Sequence, residues 1–162
     1  MDELRALYES LKLRDAQSYV QSGNVVFTTG ETDLGRLATR IESAIEKKFG
    51  FRPAVILRSS SELRDAIARN PFATRRDLNP AKLLVTFLAG DPGDEARKKV
   101  LSIPVDPEEM HLVGRELYVY YPNGQGRSKF PQAVIDRILK TPGTGRNWNS
   151  VTKLMEMAGA ME

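Results

Sequence analysis

Apolar residues recur along this chain with two different periods, and the switch between them outlines the elements. Leu4, Leu7 and Leu11 stand at helical spacing and predict an amphipathic helix over residues 2–12. Residues 18–28 are rich in β-branched and aromatic side chains, with Ser22-Gly23-Asn24 in the middle. Because Gly and Asn tolerate positive φ, this reads as two short strands around a tight turn, or as one kinked strand. Leu34, Leu37, Ala38, Ile41, Ile45 and Phe49 form the cleanest helical stripe, capped by Thr32 or Asp33 and closed by Gly50. Ala54–Leu57 reads as a short buried strand. The serines at 59–61 start a further helix that runs to Ala68, before Asn70-Pro71.

After an irregular connector at 72–81 the pattern resumes. Leu83–Leu88 is apolar on both faces and so predicts a central strand. Asp91-Pro92-Gly93-Asp94 turns into a helix carrying Ala96, Val100 and Leu101. Met110–Val113 and Leu117–Tyr121 read as strands joined at Gly114-Arg115, a two-residue hairpin turn. Helices near Pro131–Leu139 and Asn149–Ala158 close the chain.

This order predicts an α+β protein made of two ferredoxin-like (split βαβ) halves packed together, over residues 1–72 and 82–162. The second half carries an extra C-terminal helix. The first would be complete only with a strand ahead of residue 1.

Composition narrows the chemistry. The 162 residues are 41% hydrophobic and 28% charged, as in ordinary globular domains. The net charge of +3 is compatible with a polyanionic partner but weaker than a dedicated nucleic-acid binder shows. Without cysteine there is no disulfide, thiolate metal site or cysteine nucleophile, which fits a reducing cytoplasm. No apolar run approaches the roughly 18 residues of a membrane span, so no membrane partner is expected.

Chemistry is hinted at in one stretch, Tyr121–Ala158. It holds two loops of the form Gly-x-Gly-Arg plus a small polar residue: Gly124-Gln125-Gly126-Arg127-Ser128-Lys129 and Gly143-Thr144-Gly145-Arg146-Asn147-Trp148. Each is expected to open a helix. Backbone N–H groups at a helix start bind anions, and Arg127, Lys129 and Arg146 add positive charge. The candidate ligand-binding set is therefore Gly124, Gly126, Arg127, Ser128, Lys129, Gly145, Arg146, Asn147, Trp148 and Asn149. The competing reading is structural: glycines for turns, Ser128, Asn147 and Asn149 as caps, and solvated arginines. Trp148 either stacks on a ligand ring or pins its loop against the sheet. Tyr118 and Tyr120 share one strand face and Tyr121 takes the other, as a half-buried tyrosine row.

Neither loop satisfies a Walker or dinucleotide fingerprint. His111 is the sole histidine, so no histidine metal cluster forms, and no Gly-x-Ser-x-Gly elbow supports a Ser-His-Asp site. No cofactor is expected. Three functions stay open. The first is a binding module for a phosphate-bearing small molecule or nucleic acid. The second is an enzyme acting on a phosphorylated or acidic small molecule, with Ser22 and Asn24 joining Ser128, Lys129, Arg146 and Asn149. The third is a structural or regulatory interaction domain.

Three segments carry a resemblance: Tyr19–Phe27, Tyr121–Lys129 and Arg146–Leu154. In this order they resemble a bacterial family known only as domain of unknown function 1697. The likeness runs nearly the whole chain. It implies an α+β fold with duplicated ferredoxin-like character and no established activity. Members of that family begin with a strand and a Leu-Arg-Gly-Ile-Asn-Val-Gly-like turn, whereas Met1 here falls where the first helix begins. The resemblance thus implies an exposed sheet edge in the first half, which favours a homodimer.

Overall fold

The computed structural model describes residues 2–19 and 23–161. The chain is α+β, with two sheets and six α-helices among the described residues. It divides into two compact units, Met1–Ser61 with Lys153–Glu162, and Glu62–Thr152. The connector expected at 72–81 falls inside the second of these.

The first unit holds helix α1 (Asp2–Ser10), strands β1 (Arg14–Tyr19) and β2 (Asn24–Thr28), and helix α2 (Leu34–Phe49). The strands form an antiparallel pair with an irregularity between Arg14 and Gln17, where Asp15 adopts φ 56°. Gly23 takes φ 86°, as its place in the turn requires, and Asn24 Nδ2 donates to the Tyr19 carbonyl at 3.1 Å. Ser22 lies outside the described residues. Helix α2 begins where Asp33 accepts a hydrogen bond from Arg36 N, and ends at Gly50 in the left-handed conformation. Its stripe of Leu37, Ile41 and Ile45 is buried against Tyr8, Leu13 and Ala16.

The strand expected at Ala54–Leu57 does not form. Val55 and Leu57 do pack on this core, but the Val55 N–H donates to Glu42 Oε2 at 2.8 Å instead of entering a ladder.

Helix α3 (Ser60–Ala68) leads into the second unit, followed by β3 (Leu83–Leu88), α4 (Asp94–Leu101), β4 (Glu109–Val113), β5 (Glu116–Tyr120), α5 (Gln132–Leu139), β6 (Gly143–Asn147) and α6 (Trp148–Ala160). Four strands form one sheet in the order β4-β5-β3-β6, every neighbouring pair antiparallel. Leu83–Leu88 is central, as its two-sided apolarity predicts, and Gly114 makes the β4–β5 turn at φ 57°.

The two sheet faces differ. Leu88, Leu112, Leu117, Val119 and Tyr121 pack against Val100 of α4 and Ile135 and Leu139 of α5. On the opposite face Tyr118 is fully buried and Phe72 meets Tyr120 and His111, with ring centroids 6.2 and 5.2 Å apart. Tyr118 and Tyr120 therefore share a face and Tyr121 takes the other, but all three are buried rather than half-exposed.

The largest departure from expectation is β6. The second Gly-x-Gly-Arg segment does run into a helix, α6 at Trp148, but it is a strand rather than a loop. Glycine is a poor strand former, so pairing with β3 imposes this conformation. The first segment departs too: it opens a 3-10 turn, Gln125–Arg127, and the chain then runs extended before α5. Ser128 Oγ accepts from Phe130 N at 3.1 Å, a local turn that competes with helix.

Candidate functional site

The register of β6 explains its glycines. Leu88 pairs with Gly143, Thr86 with Gly145 and Leu84 with Asn147, so these six positions share the face toward α5. A Cβ on Gly143 would meet Thr86 Cγ2 at 2.9 Å and Leu88 Cδ2 at 3.0 Å, and one on Gly145 would meet Leu84 Cδ2 at 3.2 Å. The side chains of β3 lean over a strand that has none at those two places.

What remains beside them is a groove of about 570 Å³. Its floor is Leu84, Thr86, Leu88, Gly143 and Gly145, and its walls are Gln125, Gln132, Asp136, Thr141 and Pro142. Thr86, Gln125, Gln132, Asp136 and Thr141 bring polar side chains to the groove, so its lining mixes polar and apolar groups. Gln132 Nε2 donates to Asp136 Oδ1 at 2.8 Å across one turn of α5. Thr141 Oγ1 is engaged by Gly90 N at 3.1 Å and fixes the loop before β6. Asp136 is the one charged residue among the described residues that line the groove, and it is exposed.

The expected site residues divide around this groove. Gly145 forms part of the floor, and the first glycine segment reaches the groove through Gln125, between Gly124 and Gly126. Gly124 takes φ 84° at the turn, and Gly126 is exposed. Ser128 is used by its own turn, and Lys129 is exposed and does not line the groove. The Arg127 side chain lies outside the described residues.

Arg146 pairs with Val85 and so faces away from the groove. Its Nη1 donates to Thr144 Oγ1 at 2.5 Å and to the Gly145 carbonyl at 2.8 Å, and burial pulls its pKa below the ordinary arginine value. Asn147 donates to the Ala81 carbonyl at 2.7 Å and accepts from Asn149 N at 2.8 Å, capping α6. Trp148, half-buried, is the first residue of α6, and Asn149 is exposed. Among the described residues no group of three His, Asp or Glu could hold a metal ion, and no helix is long and apolar enough to cross a membrane.

Leu84, Thr86, Gln132, Asp136 and Thr141 were not singled out from sequence. The signal available was the two-residue spacing of Gly143 and Gly145, which matches a strand rather than a loop.

The family described as "Protein of unknown function (DUF1697)" matches residues 1–118 of the 162. The chain belongs to the DUF1697 family. As a DUF1697 protein it also resembles a solved structure, described as that of the conserved bacterial protein SP0830 from Streptococcus pneumoniae. The two superpose with a TM-score of 0.74 at 23% identity, over 98% of this chain and 88% of that one. That likeness establishes the fold. No curated protein matches the chain. The matched family region stops at residue 118, so β6 and most of the groove lie beyond it.

Proposed function

We propose that this DUF1697 protein is a binding module whose ligand lies in the groove between β6 and α5. The observation that carries this reading is the missing side chains at Gly143 and Gly145, which leave the floor of Leu84, Thr86 and Leu88 bordered by backbone alone. The order β3-α4-β4-β5-α5-β6, with sheet order β4-β5-β3-β6, supports a ferredoxin-like split βαβ unit as the scaffold.

The groove favours a neutral or cationic ligand over the phosphate-bearing one expected from the Gly-Arg segments. Among the described residues that line it, the one charge is the Asp136 carboxylate, and Arg146 is directed away from it. A phosphate would therefore meet repulsion there.

The test is methyl-labelled NMR on Leu84, Thr86 and Leu88 with a panel of small amide, amine and phosphate probes. Amide or amine probes should shift these methyls selectively, and Gly145→Ala should weaken the response. Phosphate probes acting on Lys129 and Arg146 instead, with binding that falls steeply with salt, would restore the anion reading. Methyls that no probe moves would remove the groove as a ligand site.

A further inference from the structure

Strand β6 is the outer strand of its sheet, and the hydrogen-bond phase tells which of its backbone groups face outward. Ala89 N donates to the Pro142 carbonyl at 2.8 Å, which makes that pair a bonded one. Bonded and non-bonded pairs alternate along an antiparallel ladder. Thr144 and Arg146 are thus turned to β3, and the N–H and C=O groups of Gly143 and Gly145 point away from it. The β5 side gives the same phase, since Leu88 N donates to the Arg115 carbonyl at 2.9 Å. Both glycines are exposed, so these groups are presented to solvent with no side chain on the groove face to screen them.

We infer that the occupant of the groove is an extended segment of another polypeptide, carrying a lysine or arginine, that adds to β6 as a fifth strand. This rests on the groove reading and specifies its ligand class. An edge strand beside a groove under a helix recognises peptides by main-chain hydrogen bonds, with pockets for alternate side chains. A strand added here would lie about 4.8 Å beyond β6. Every second side chain would then stand on the groove face beside Gly143 and Gly145, where the Leu84, Thr86 and Leu88 side chains lean out from β3. Asp136 selects for a cation in that row, because among the described residues lining the groove it is the one that carries a charge, and it holds its position through Gln132. The Gly145 carbonyl is already engaged by Arg146, so the main-chain bonds to the added strand come from Gly143 N, Gly143 O and Gly145 N.

The experiment uses the full chain and a blocked octapeptide of threonine, valine and lysine, with a second peptide N-methylated along one edge. Amide hydrogen exchange is read at Gly143 and Gly145, and methyl shifts at Leu84 and Leu88. The first peptide should slow exchange at Gly145 by about tenfold or more at saturation. N-methylation along the bonding edge should weaken binding by about tenfold or more. Asp136→Asn should weaken the lysine peptide several-fold at low salt while sparing a glutamine version of it.

Methyl shifts without protection at Gly145, or equal binding of the N-methylated peptide, would overturn strand addition and leave the groove reading standing. Methyls silent toward the peptides and toward the small probes alike would overturn both. Protection at Gly145 that rises with protein concentration and needs no peptide would assign the edge to a second copy of this chain and overturn the peptide assignment.

Discussion

The Tyr118 hydroxyl donates to the Ala66 carbonyl at 2.5 Å, joining the centre of β5 to the last turn of α3 across 52 residues. The usual helical donor to that carbonyl, Asn70 N, turns instead to Ile67 O at 3.3 Å. Tyr118 therefore caps α3 from the sheet, and both residues are buried. Tyr118→Phe should cost about 1–3 kcal/mol, because it leaves a buried carbonyl unpaired at almost unchanged volume. Urea denaturation of the two proteins measures this, and equal midpoints would show that water or another donor replaces the hydroxyl.

Burial also sets the alkaline limit of stability. It pushes the phenols of Tyr8 and Tyr121 up to about 12 and raises Tyr118 as well, from an ordinary value near 10. Between these values the unfolded chain releases phenolic protons that the native state retains, so stability falls as pH rises. Stability should be fully present below about pH 10 and should decline through about pH 12. Thermal melts across that range, paired with Tyr8→Phe, check this: the variant should lose less stability over the same interval. A Tyr8→Phe curve parallel to the parent would contradict the assignment.

Much of the fold was legible because its causes are local. Asp33 and Gly50 bracket α2 by chemistry that acts within one turn, and Gly114 closes the β4–β5 hairpin by its own backbone. Leu83–Leu88 announced a central strand through its two-sided apolarity. Ala54–Leu57 misled because composition cannot show that Val55 N–H is taken by Glu42. Strand β6 was hidden for the opposite reason: Gly143–Asn147 carries no strand propensity, and β3 supplies its pairing from some sixty residues earlier in the chain. The groove was illegible because Leu84, Gln125, Asp136 and Gly145 meet only once the sheet and α5 are assembled. The second Gly-Arg segment borders the groove through Gly143 and Gly145, but strand alternation sends Arg146 and Gly145 to opposite faces.

Two helix ends solve the same problem with different residues, and this gives a paired prediction. Gly50 closes α2 at φ 84°, whereas Lys140 closes α5 at φ 55°, its N–H donating to the Asp136 carbonyl at 3.1 Å. A left-handed residue with a Cβ carries a cost of roughly 1 kcal/mol that glycine avoids. Lys140→Gly should therefore stabilise the protein by up to about 1 kcal/mol, and Gly50→Ala should destabilise it by a similar amount. Chemical denaturation of both variants checks the opposite signs. Destabilisation by Lys140→Gly would mean that the lysine side chain contributes more than the backbone strain removes.

The glycines of the two Gly-x-Gly-Arg segments should also respond oppositely to the same substitution. At Gly143 an added methyl would lie 2.9 Å from Thr86 Cγ2 and 3.0 Å from Leu88 Cδ2, on a sheet whose partner side chains are packed. At Gly145 the nearest approach is 3.2 Å to Leu84 Cδ2, and at Gly126 nothing lies within 4 Å and φ is not in the left-handed range. Gly143→Ala should cost about 1–3 kcal/mol through overpacking, and Gly145→Ala should cost less. Gly126→Ala should be neutral or stabilising by up to about 1 kcal/mol, since alanine restricts the unfolded chain. Differential scanning calorimetry of the three variants ranks them. If Gly143→Ala melts with the parent, β3 and β6 must separate easily at this edge, and the tight fit that defines the groove floor would be wrong.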